Sequence, residues 1–106
     1  MNDIFAKASC LKDLVSYQDG AVVSKEILKK DNSSLTLFAF DKGQGLSEHS
    51  APFDAFVYIV DGVAEVTISK IPTILKAGEA VIMPANKPHS LAAHERFKML
   101  LVMLRA

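Results

Sequence analysis

The chain has 106 residues and a mass of 11.5 kDa; 50% of its residues are hydrophobic and 23% charged, and 12 basic residues balance 12 acidic ones. That composition excludes a disordered chain, and the length suits one domain over residues 1–106 that hides about two-thirds of its surface on folding. No apolar run approaches the ~20 residues that cross a bilayer, and no stretch gathers basic side chains with aromatics, so neither a membrane nor a nucleic acid is implied as partner.

At the start of the chain, Asp3, Lys7, Lys12 and Asp13 interrupt the region where a secretory signal needs an unbroken apolar stretch. Cys10 is the single cysteine and has no internal disulfide partner, and together these features imply a cytoplasmic protein. Cys10 itself reads as an ordinary small residue, since nothing near it in sequence would lower its pKa. Residues 11–15 allow at most one helical turn. Beyond them the apolar positions alternate or form short blocks, which predicts strands over 22–28, 34–40, 55–60, 64–68, 73–75, 80–83, 90–93 and 97–104. The segments between them have turn composition. The sharpest turn signal is Asp61-Gly62, which predicts a two-residue hairpin joining 56–60 to 64–68. Gly43 and Gly45 read as turn glycines, because no helix or Lys-Ser/Thr follows to make a phosphate loop. Many short strands at this spacing imply an all-β sandwich or barrel.

Alternation tells which strands face water. Ala64, Val66 and Ile68 interleave with Glu65, Thr67 and Ser69, giving one wet face. Residues 35–40, 56–60 and 99–104 are instead apolar on both faces, although a small barrel has only one interior. Either the N-terminal segment or a second subunit must cover the other face, and the extent of apolar surface favours a homodimer with Tyr58 in its interface.

Three histidines, His49, His89 and His94, are the side chains suited to transition metals or to proton transfer near neutral pH. His49 and His89 each lie beside a turn, in the stretches 48–55 and 83–89. Those stretches resemble the paired motifs of the cupin superfamily of small double-stranded β-helix barrels. Gly43, His49 and Gly62 fall at the intervals of the first motif, and Gly78, Pro84 and His89 at those of the second. The sequence departs from the pattern at Ala51, which takes the place of a second His, and at Ala55, which takes the place of a Glu. Asn86 and Ala93 stand where the second motif has Gly and Asn. The resemblance covers about residues 35–104 and implies a jelly-roll barrel with a short N-terminal extension, keeping two of the four usual metal ligands.

Strand parity extends this reading. If His49 points into the barrel from an extended segment, Ala51, Phe53 and Ala55 point inward too, and Val57 and Ile59 continue the register. Glu48 and Asp54 have the opposite parity and face out, as does His94 relative to His89. The expected ligand pocket is therefore an apolar, small-walled one containing His49, Ala51, Phe53, Ala55 and His89. His49 and His89 are the candidate ligands of a weakly held divalent metal (iron, zinc, nickel, copper or manganese), or else the polar partners of a small molecule bound without metal. No catalytic residue stands out. Met83, Met99 and Met103 read as core or interface fillers, with contact to an apolar ligand or a soft metal as the alternative. Three functions remain open: a small-molecule-binding barrel, a metal-dependent enzyme of the dioxygenase or isomerase type, and a ligand-sensing or scaffolding dimer without catalysis.

Overall fold

The computed structural model describes residues 4–105; Met1, Asp3 and both ends of the 1–106 domain lie outside the described residues. A 3-10 turn, Leu11–Asp13, precedes eight strands: β1 (Val22–Lys30), β2 (Ser33–Phe40), β3 (Gly45–His49), β4 (Asp54–Ile68), β5 (Ile71–Lys76), β6 (Ala80–Met83), β7 (His89–Ala92) and β8 (Phe97–Leu104). No described helix is long and apolar enough to cross a membrane. All strand pairings are antiparallel. One sheet runs β1-β2-β8-β4-β6 and the other β5-β4-β7-β3, so β4 belongs to both. The result is the all-β jelly-roll barrel expected from the sequence.

Two corrections concern β4 and β3. Asp61-Gly62 does not close a hairpin: Gly62 pairs with Phe97 in the first sheet, and Val63 onward pairs with β5 in the second. A register shift between Ile59 and Asp61 lets the strand change sheets without reversing. Gly62 has φ of 76°, and a Cβ on it would collide with the backbone carbonyl of Arg96. Local turn chemistry thus serves a bulge at a close crossing, where only glycine fits. The two-residue hairpin turn lies one segment later, at Ser69-Lys70, whose φ values of 50° and 71° are both positive as a type I′ turn requires. The second correction is that Gly45 opens strand β3, paired with Ala92, rather than closing a turn.

The register puts rows of side chains across the first sheet. At the end nearest the crossing, Phe40 pairs with Phe97 and their rings stack with centroids 4.4 Å apart. Val57, Ile59, Val66 and Met99 fill the middle, buried from solvent. At the far end the row reads Lys29, Ser34, Met103, Ala55, Met83, and there the barrel interior is not filled.

On the outer face of this sheet, part of the second apolar surface is covered by the chain itself. Val15 is buried against Leu37 and Ala39, with Leu11, Leu14 and Leu100 around them. Tyr17 anchors the segment: its hydroxyl donates to Asp61 at 2.6 Å, and the Arg96 and Lys98 cations lie 5.1 and 4.8 Å from its ring. Burial, followed by the Asp61 carboxylate, pushes the Tyr17 hydroxyl pKa well up. The rest of that face carries the row Leu28, Leu35, Val102, Phe56, Ile82, with Ile82 57% exposed.

The Gly62 crossing is open to test. Gly78 also has positive φ, but open space surrounds it. We expect Gly78→Ala to cost about 1–2 kcal/mol from backbone strain alone, and Gly62→Ala to cost clearly more because the Arg96 carbonyl must also move. Urea denaturation of the two variants measures this, and equal losses would reject the close-crossing explanation.

Candidate functional site

The unfilled end of the barrel is a cavity of about 160 Å³ lined by Leu46, His49, Ala51, Phe53, Ala55, Met83, His89, Leu91, Met99, Leu101 and Met103. All five residues expected in the pocket, His49, Ala51, Phe53, Ala55 and His89, are among them. Glu48 and Asp54 are not. Glu48 pairs with Lys70 at 3.1 Å, and Asp54 accepts a hydrogen bond from the Ala85 amide at 2.8 Å. His94 stands apart, 2.9 Å from Glu65.

Each histidine is set by its own strand and loop. His49 ends β3 and pairs with His89, the first residue of β7, which also pairs with Ile68. The loop before His89 depends on Asn86, whose φ of 65° lies in the left-handed region that glycine otherwise fills and that asparagine tolerates best among side-chain-bearing residues. This accounts for the departure from the second motif. The Asn86 amide then donates to the Ala51 carbonyl at 2.7 Å, tying the loop that carries His89 to the segment that follows His49.

The ring geometry determines what the pair can do. His49 Nδ1 lies 2.9 Å from the Ser47 carbonyl oxygen and His89 Nδ1 lies 3.2 Å from that of Lys87. A carbonyl oxygen only accepts, so both Nδ1 atoms carry the proton, and in the neutral rings both Nε2 atoms are bare lone pairs. Those two Nε2 atoms are 3.2 Å apart, with the rings edge to face at 73°. Two bare lone pairs at that distance repel unless an electrophile sits between them. Two nitrogens each about 2.0–2.1 Å from one ion stand about 3.3 Å apart at the tetrahedral angle and about 2.9 Å apart at a right angle. The observed spacing falls between the two. Carbonyls holding Nδ1–H are the usual outer support of a metal-binding imidazole. The residues present therefore fit a metal held by two imidazoles, but not the oxygenase-type set: among the described residues no three His, Cys, Asp or Glu side chains converge.

His89 is only 5% exposed, and this burial, followed by repulsion from His49, holds its pKa below the usual imidazole value. The carbonyl of Lys87 opposes the shift without reversing it. Both effects favour the neutral, metal-ready ring.

Sequence reasoning missed Leu46, Leu91 and Leu101 as lining residues and did not place Met83, Met99 and Met103 on the cavity. Their only signal is register: Met103 and Met83 flank Ala55 on the two neighbouring strands. Cross-strand register is not written in any one segment. Phe53 closes one side of the cavity, with the Arg105 guanidinium 5.2 Å from its ring centroid.

The depressed His89 pKa gives a signed pH dependence. The folded ring resists a proton that the unfolded chain accepts, so this contribution is fully present above the usual value near 6.5 and is lost as pH falls through the lower folded value. We expect metal-free protein to show level stability above about pH 7 on this account, and a decline below pH ~6.5 that His89→Gln makes shallower. Urea midpoints between pH 5.5 and 8 check this; identical slopes for the two proteins would contradict it.

Residues 36–104 match the cupin domain family. No protein of curated function matches the chain. Among solved structures, the chain is similar to a conserved protein of unknown function from Streptococcus pyogenes, with 36% identity over 96% of this chain and 90% of that one and a TM-score of 0.91. It is similar to a cupin 2 conserved barrel domain protein from Leptotrichia buccalis, with 41% identity over 89% of this chain and 46% of that one and a TM-score of 0.86. A cupin superfamily protein from Desulfitobacterium hafniense DCB-2 shares 27% identity over 100% of this chain and 97% of that one, with a TM-score of 0.92. With the family match spanning both histidine-bearing stretches, this chain belongs to the cupin family.

Proposed function

We propose that the protein is a small-molecule-binding cupin whose His49 and His89 hold a transition-metal ion at the edge of an apolar cavity. The observation that carries this reading is the pair of bare Nε2 atoms 3.2 Å apart, each ring oriented by a backbone carbonyl. A bound ion supplies Lewis acidity toward a polar atom of the ligand, while Phe53, Leu101 and the methionines receive its apolar part. Two protein ligands make a weak site. Ala51 and Ala55 offer no donor atom, which weighs against a dioxygenase or isomerase built on the full ligand set. A single barrel domain in the cytoplasm completes the reading, supported by the free, exposed Cys10.

The test is elemental analysis of untagged protein purified without added metal or chelator, before and after incubation with iron, zinc, nickel, copper or manganese. Metal near one equivalent in the wild type and absent from both His49→Ala and His89→Ala is the expected result. At a metal concentration about 100 times its dissociation constant, the wild type should also gain about 2.7 kcal/mol of stability. Wild-type protein that stays metal-free after incubation refutes the metal and redirects the search to metal-free ligands or to ligand sensing.

A homodimer is the second part of the proposal, supported by the half-buried residues Val102 and Phe56 and the exposed Ile82 in one row on the outer face of the first sheet, with Tyr58 neighbouring them. A charge placed in such a face loses its hydration when a second copy covers it. Tyr58→Asp is therefore expected to yield monomer or insoluble protein by size exclusion with light scattering. A soluble dimer of that variant would rule out this interface.

A further inference from the structure

We infer that the cavity is built to prefer a soft monovalent ion, copper(I), through thioether sulfurs of Met83 and Met103 added to the two imidazoles. This rests on the His49–His89 reading and goes beyond it by assigning the remaining donors.

Apart from the two imidazoles, the side-chain atoms lining the cavity that can donate electron pairs to a metal are thioethers, from Met83, Met99 and Met103. Among the described residues no carboxylate, hydroxyl or thiolate lines it. Thioethers are weak, polarisable ligands that favour soft ions, whereas magnesium, calcium and manganese seek oxygen. Charge points the same way. The cost of taking an ion out of water rises with the square of its charge, and among the described residues this apolar cavity holds no anion to offset a divalent ion.

The register supplies placement. Ala55 occupies the position where the family pattern has a carboxylate, and it pairs with Met103 on one side and Met83 on the other. Directly opposed residues on one face of a sheet have Cβ atoms about 4.5–5.5 Å apart. The small side chain between them leaves the two flexible methionines free to reach over the vacated position. Met83 is buried and Met103 half-buried, whereas His49 is exposed, so the sulfur side of the site is the one more shielded from water. The Nε2 separation of 3.2 Å agrees with added ligands: two nitrogens on opposite sides of one ion would stand about 4 Å apart. A bent pair leaves positions for sulfur.

The experiment uses the full chain under anaerobic conditions, with copper(I) delivered as its acetonitrile complex and competed against bicinchoninate. Zinc(II) is titrated in parallel against a colorimetric chelator. Met83→Leu, Met103→Leu and the double variant conserve volume, and circular dichroism confirms that each is folded. One copper(I) per wild-type chain is expected, with affinity falling at least about tenfold in the double variant while zinc(II) affinity changes less than about twofold. Should the double variant not fold, the two single variants carry the comparison, each with a smaller loss specific to copper(I). Copper(I) affinity equal in wild type and Leu variants, or equal losses for both ions, overturns the thioether assignment and leaves the histidine pair standing. Failure of the wild type to bind either ion overturns both.

Discussion

The passage of β4 from one sheet to the other is the constraint on which the rest of the structure depends. A single strand shared by two sheets makes a wedge that is tight where it crosses and open where its two ends diverge. The crossing is tight because Gly62 lies against the Arg96 carbonyl with positive φ, a position that excludes any side chain. Beside it, the stacked Phe40 and Phe97 rings fill the narrow end. At the opposite end, Asp54 begins the strand's run in the first sheet, with Ala55 next to it, and Ile68 ends its run in the second, beside His89. The cavity is a consequence of that divergence, and the histidines sit at its rim because β3 ends and β7 begins there.

The chemistry then follows from backbone more than from side-chain clusters. Among the described residues no carboxylate orients His49 or His89; each ring is held by the backbone carbonyl two residues earlier. This local tether leaves Nε2 bare, and the pairing of β3 with β7 brings the two bare nitrogens together. The site thus depends on strand register, and a one-residue slip would turn one ring to the opposite face. The Asn86 amide bound to the Ala51 carbonyl helps to hold that register where the chain is otherwise loop.

Much of the fold was legible. The alternation of Ala64, Val66 and Ile68 with polar neighbours marked a strand with one wet face, and all three apolar residues are buried or half-buried in the structure. The bounds of β6 and β8 match those expected, because each is a run of apolar residues ended by turn residues. The misreadings share a cause. Asp61-Gly62 has hairpin chemistry but serves a bulge, while Ser69-Lys70 makes the hairpin with weaker turn residues because the register of β4 and β5 demands positive φ there. Residues 45–49 alternate too poorly to announce a strand, and they are ordered by pairing with β7. The N-terminal segment was one of two candidate covers for the outer face; the structure packs its Val15 on Leu37 and Ala39, while Phe56 and Val102 stay half-buried and Ile82 exposed.

By itself, the sequence determined the residue types that face inward along each strand, since a period of two assigns sides without knowledge of partners. Through the cupin resemblance it also pointed to two imidazoles, without paired carboxylates, at the barrel mouth. Tertiary structure alone decided which strands are neighbours, and therefore that Met83 and Met103 flank Ala55 and that the two Nε2 atoms meet at 3.2 Å. The physical reason is that parity is a property of one strand, whereas distance across a sheet depends on the register between segments up to tens of residues apart, which is set by the packing of the whole core.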